Sequence, residues 1–227
     1  MCIFYIPSSN PEEWRKFLAD PENQWKRGYS ARALAYSWIE ANGFPLEIER
    51  AFSKCDDNQL RNIECLMGFP EHRVPLKGGS RPSQNDLFVL AKAGTDLTTI
   101  TVEGKVSESF NEAVDEWLKN GSEGKKKRLA YLCSLLNITI NMVNHIRYQL
   151  IHRTASAIIE AERFNAKYAI MLVHSFSQTH EWFEDYRDFT ALYGCNAEMD
   201  KIQFLRDIKG LKLYSGWITG NPKYLTK

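Results

Sequence analysis

Over roughly the first 68 residues the hydrophobic positions recur at three- and four-residue steps, which predicts helices. In "SSNPEEWRKFLAD" either Ser9 or Asn10 can cap, Pro11 suits the first helical position, and Glu12 and Glu13 suit the positive end of the dipole. "YSARALAYSWIEANG" predicts a second helix ending at Gly43, and "PLEIERAFSKC" a third. "DDNQLRNIECLMG", with aspartates to cap it and Gly68 to stop it, predicts a fourth.

The pattern then changes. "HRVPL" predicts a short strand and "KGGSRPS" a turn. "NDLFVLAKA" and "LTTITVEGKV" predict strands joined by the turn "GTD", the second rich in β-branched residues. Helices are expected in "SFNEAVDEWLKNG", in "KKKRLAYLCSLLN" and from about 141 to 165. "KYAIMLVHSF" is almost wholly apolar and predicts a strand buried on both faces. "THEWFEDYRDFTALYG" predicts a helix ending at Gly194, and "LKLYSGWITG" a last strand. Three strands in succession argue against a doubly wound fold. The order predicts one α/β domain over residues 1–227, its mixed sheet flanked by helices. An antiparallel meander comes first, and a further strand arrives over a long helical crossover. Residues 1–68 form a helical N-terminal part, and residues 69–227 the α/β core with a closing helix and strand.

Composition narrows the functional classes. The 227 residues carry 29 Lys+Arg and 28 Asp+Glu, so bulk charge does not announce a nucleic-acid binder and any basic surface must be local. The five cysteines include no C-x-x-C pair, which points to a reduced, cytoplasmic protein rather than a disulfide scaffold or zinc ribbon. "MCIFYIPSSNPEEW" lacks the basic start of a secretory signal, and the longest apolar run, "YAIMLV", is far too short to span a membrane.

The candidate chemistry lies in "TITVEGKVSES". Side chains alternate along a strand, so Thr101, Glu103 and Lys105 share one face. A two-residue turn at Gly94 and Thr95 would set Asp86 opposite Glu103, and Gln84 opposite Lys105. Two carboxylates that close repel unless a cation lies between them or one takes a proton. Oxygen ligands suit a hard divalent ion, and a lysine beside it can act on a water or on developing negative charge. The other reading is an exposed strand face with weak ion pairs.

Asp86 in "SQNDLFVLA" with Glu103 and Lys105 in "VEGKV", on consecutive strands of a meander that follows a helix, resembles the PD-(D/E)XK nuclease superfamily, or restriction-endonuclease-like fold. The resemblance covers about residues 56 to 176, with Asn85 where the motif often has proline. It implies that Asp86 and Glu103 hold Mg²⁺ (or Mn²⁺), that Lys105 serves the attacking water, and that the substrate is DNA. A glutamate on the helix before the sheet often joins the metal; here that is Glu64, or else Glu71. The helix after the E-x-K strand can lend Gln149 and Arg153 to the metal and phosphate.

Other residues fill out this picture. His145, Gln149, His152, Arg153, Ser156 and Glu160 recur on one side of the 141–165 segment and otherwise make a solvated face. His145 and His152 are too far apart for one zinc. The basic run of Lys125, Lys126, Lys127 and Arg128, and Lys77 and Arg81 in the Gly/Pro/Ser loop, are candidate phosphate contacts. The loop is not a Walker motif. His174 reads as structural, and nothing supports acyl transfer. The expectations are therefore a Mg²⁺-dependent DNA nuclease, a silent nuclease-fold binding or assembly module, or a small-nucleotide phosphoesterase. A membrane role is not expected, and a homodimer is compatible with the sequence.

Overall fold

The computed structural model describes residue 8, residues 10–119 and residues 121–227. The expectations placed on Cys2, on the leader and on a Ser9 cap lie outside the described residues. A six-stranded mixed sheet runs in the order β1-β2-β3-β4-β6-β5. Its strands are β1 (Glu64–Val74), β2 (Ser83–Ala93), β3 (Asp96–Lys105), β4 (Tyr168–Ser175), β5 (Lys201–Ile208) and β6 (Leu211–Thr219). β1, β2 and β3 form the antiparallel meander, β4 lies parallel to both β3 and β6, and β5 closes the far edge antiparallel to β6.

Helices cover both faces. On one face lie α1 (Pro21–Gln24), α2 (Ser30–Ala41) and α3 (Leu46–Ser53), packing Leu34, Trp38 and Phe52 against Val89, Ile100 and Leu172. Asn10 caps the 3₁₀ turn Pro11–Phe17 ahead of them, accepting from the Glu13 N–H. On the other face α4 (Val114–Leu118), α5 (Glu123–Leu136), α6 (Tyr148–Phe164) and α7 (Phe183–Ala191) bury Leu132, Leu150 and Tyr186 against Met171, Val173 and Trp217. β4 sits between the two cores with all eight residues buried, as its apolar run predicts.

The hairpin at Gly94–Thr95 takes the expected register, from Ala93↔Asp96 to Leu87↔Val102. Gly94 has the left-handed φ of 63° that a two-residue turn favours. β3 and β4 are parallel over the predicted helical crossover.

Several elements differ from the sequence reading. The fourth helix is absent: Asp57 accepts from the Gln59 N–H in a tight turn, only Leu60–Asn62 turns as 3₁₀ helix, and β1 then begins at Glu64. Pairing with β2 overrides the helical spacing, and the short strand foreseen at "HRVPL" is the last part of this longer one. Pro70 is tolerated because β1 is an edge strand. The helix expected from 141 starts only at Tyr148, because Arg147 is extended and bridged to Ala113. β5 was not foreseen; a bulge between Phe204 and Arg206 breaks its alternation.

Candidate functional site

The site grows from the face of β3 that meets α6. Thr99 Oγ1 donates to the Ala157 carbonyl at 2.8 Å and Thr101 Oγ1 to the Arg153 carbonyl at 3.0 Å. These bonds fix α6 along β3, which brings Gln149 and Arg153 over Glu103. The polar side of α6 is therefore not solvated: Gln149, Arg153, Ser156 and Glu160 are buried.

Glu103 lies at the centre. Its Oε1 accepts from Lys105 Nζ at 2.8 Å and Gln149 Nε2 at 2.7 Å, and its Oε2 accepts from Arg153 Nε at 2.5 Å. Burial opposes its charge, but Arg153 and Lys105 prevail and hold the carboxyl down to about 2. Lys105 Nζ also donates to Gln149 Oε1 at 3.1 Å and the Ser109 carbonyl at 3.2 Å. The side chains of Glu103 and Lys105 are each 4% exposed, which overturns the reading of an exposed strand face.

Asp86 lies one step past the last β2–β3 pair, opposite Glu103. Its Oδ2 accepts the Gly104 N–H at 2.8 Å, and its Oδ1 stands 3.9 Å from Arg153 Nη2. Burial, then the Glu103 charge, pushes its carboxyl up to about 7. Gln84 continues the same register toward Lys105, and both line the same cleft; on their other sides Gln84 pairs with Arg73 on β1 and Lys105 with Ser175 on β4.

Glu71 extends the row. It falls between the pairs Pro70↔Leu87 and His72↔Asn85, so it stands opposite Asp86. Its φ of 52° is unusual for a residue with a Cβ. Its Oε2 accepts from Gln84 Nε2 at 2.7 Å, and burial followed by Asp86 raises its carboxyl to about 8. One carboxylate from each of three adjacent strands thus reaches a cleft of about 370 Å³, shared with Lys105, Gln149 and Arg153. The far wall is built from Leu18, Asn23, Tyr29 and Ser30 of the N-terminal part.

Arg153 is steadied from behind. Its Nη1 donates to Ser83 Oγ at 3.1 Å, and Ser83 Oγ meets His152 Nδ1 at 2.8 Å. Burial and then Arg153 push His152 well below its ordinary range, which favours a neutral imidazole beside Ser83.

The sequence-predicted residues divide cleanly. Asp86, Glu103, Lys105, Gln149 and Arg153 converge. Glu64 does not: it is exposed at the opposite end of β1, paired with Lys92, because its segment is strand rather than helix, and Glu71 occupies the place foreseen for it. Lys77 and Arg81 are exposed on the β1–β2 loop, with Lys77 over the Tyr131 ring, and neither lines the cleft. Lys125 donates to the Trp117 carbonyl, Lys126 pairs with Glu123, and Arg128 is buried on the carbonyls of Leu76 and Lys77. Lys127 is exposed, and none of this run lines the cleft. His174 is buried between Trp38 and Glu47, as a structural histidine should be. Ser83 and the cleft wall at 18–31 had no signal in the sequence; Glu71 had one, its two-residue alternation with Phe69 and Arg73 along β1.

Among the described residues no three carboxylate, imidazole or thiol groups form a ready metal cage. Nor, among them, is any helix long and apolar enough to cross a membrane. The chain belongs to a family of domains of unknown function, DUF6946, whose model matches residues 7–222. No curated protein and no solved structure matches it.

Proposed function

We propose that the protein is a divalent-metal-dependent nuclease of the PD-(D/E)XK type on a restriction-endonuclease-like fold. One observation carries this reading: Glu71, Asp86 and Glu103 stand in a row across three strands, and two of these carboxyls are pushed to about 7 and about 8. Such a shift marks carboxylates short of a counter-charge. The donor chemistry fits a hard cation. Asp86 and Glu71 would hold it, and two carboxylates are the protein's usual share for Mg²⁺, which keeps several of its waters. Bound there, the ion supplies a polarised water and positive charge.

The chain's own residues do the rest. Lys105 and Arg153 present two cations at the same cleft, where they counter the negative charge that grows on a phosphate under attack. Gln149 and Ser83 hold those cations in place. Glu103 is their shared anchor. DNA is the substrate this reading takes.

The test is cleavage of a linear single-stranded oligonucleotide with Mg²⁺ or Mn²⁺, wild type beside Asp86→Ala and Glu103→Ala. Loss in both variants is expected. Metal-dependent cleavage that survives both substitutions overturns the assignment. A second reading, a nuclease-fold binding module without turnover, is favoured by one fact: both oxygens of Glu103 already accept hydrogen bonds. Metal binding lost in Asp86→Ala without any cleavage by wild type would select it.

A further inference from the structure

Resting on that reading, we infer that the cleft admits a single nucleotide unit with a free end, and that phosphodiesters inside a duplex or a closed strand are not its substrates. The reactive groups are recessed. The side chain of Glu103 is 4% exposed, that of Arg153 9% and that of Asp86 22%. A duplex carries its phosphates on a convex, stiff cylinder, which cannot enter a concave cleft of about 370 Å³. That volume lies at the small end of ligand sites, about 300–1,000 Å³.

The wall that narrows the cleft is built in. Glu108, just beyond β3, accepts the Ser30 N–H through Oε1 at 2.9 Å and the Val106 N–H through Oε2 at 2.7 Å. It thereby staples the start of α2 to the end of the site strand. Behind it, Glu12 accepts from Trp25 Nε1 and Tyr36 OH, each at 2.9 Å. Tyr29, on this wall and 43% exposed, offers an aromatic face to one base. Outside the cleft the sequence's densest basic run is partly committed to Trp117, Glu123 and backbone carbonyls, so it offers no continuous track for a duplex backbone.

The experiment compares four substrates with Mn²⁺: a linear single-stranded oligonucleotide, a dinucleotide, a circular single strand and a supercoiled plasmid. Stepwise shortening of the linear strand, with both closed forms intact, is the expected result. Cleavage of the dinucleotide alone also supports the inference and assigns the unit to free small nucleotides. Nicking of either closed form by wild type at a rate within tenfold of the linear strand overturns the inference and leaves the nuclease reading standing. Failure on all four substrates overturns both. Two variants sharpen the outcome. Glu108→Ala, which frees the wall, should bring at least a tenfold gain on the circular strand. Tyr29→Ala should raise KM several-fold while kcat stays within twofold; a fall in kcat alone would remove Tyr29 from the base contact.

Discussion

Arg153 donates to Glu103 at 2.5 Å through Nε, while its Nη2 stops 3.9 Å from Asp86. One guanidinium therefore neutralises one carboxylate and only leans on the other. Both carboxyls are raised by burial; Arg153 with Lys105 overcomes this at Glu103, held down to about 2, whereas the more distant Arg153 does not at Asp86, which burial and the Glu103 charge push up to about 7. Groups of one chemical type with separated affinities for protons are what a hydrolytic site uses.

The same asymmetry gives the stability of the metal-free protein a direction with pH. Asp86 and Glu71 bind protons more tightly when folded than their ordinary 3.8 and 4.5. Their contribution is complete below those values and is lost as pH rises through about 7 and about 8. Glu103 acts in the opposite sense, its contribution fading as pH falls from 4.5 toward about 2. In a chelating buffer this contribution should lower Tm between about pH 5 and about pH 8 and level off above that, and Asp86→Asn should flatten the slope. A Tm that rises with pH over this range would contradict the raised carboxyls.

A divalent ion should reverse the trend. Mg²⁺ at about 100 times its Kd would add about 2.7 kcal/mol of stability. The rise in Tm should be larger at pH 8 than at pH 6, since protons compete for the same oxygens. It should disappear in Asp86→Asn and shrink in Glu71→Gln. An equal rise in all three proteins would place the ion elsewhere.

Breaking the buried pair should be costly. Arg153→Ala leaves Glu103 with one cation and an unfilled space, and loss of a buried partner typically costs about 3–5 kcal/mol. Urea titration would read this as a lower midpoint with an unchanged slope. A change below about 1 kcal/mol would mean that water already reaches the pair.

Lys105→Gln tests chemistry, with Tm read beside activity because Lys105 is itself buried against Glu103. Gln can still bond Glu103 but carries no charge. A fall of about 10²–10³ in kcat with KM nearly constant is expected from loss of one transition-state contact. Raised KM alone would make Lys105 a binding group.

The register of the β2–β3 hairpin was legible to within one residue because Gly94 and Thr95 suit a two-residue turn, and that turn places Asp86 by Glu103. The buried strand β4 was legible from composition alone. Gln149 and Arg153 could be assigned because helical spacing puts them one turn apart, although their burial depends on Thr99 and Thr101, whose bonds to α6 the sequence does not announce. β1 was misread because "LRNIECLMG" has helical spacing, and only its partner strand decides against it. That error carried Glu64 into the site in place of Glu71. The basic run misled because charge along a sequence says nothing about which carbonyls those side chains will meet.

α2 touches much that is distant in sequence. Leu34 packs in the core against β3, Trp38 donates to His174 on β4, Arg32 donates to the Lys227 carbonyl, and Glu40 pairs with Lys223 and Lys227. Its partners range from Glu108, 78 residues away, to the Lys227 carbonyl, 195 residues away. The helix that backs the cleft wall is thus shared between the site strand and the 222–226 turn, so a substitution in that turn, far from any carboxylate, would be felt at the cleft.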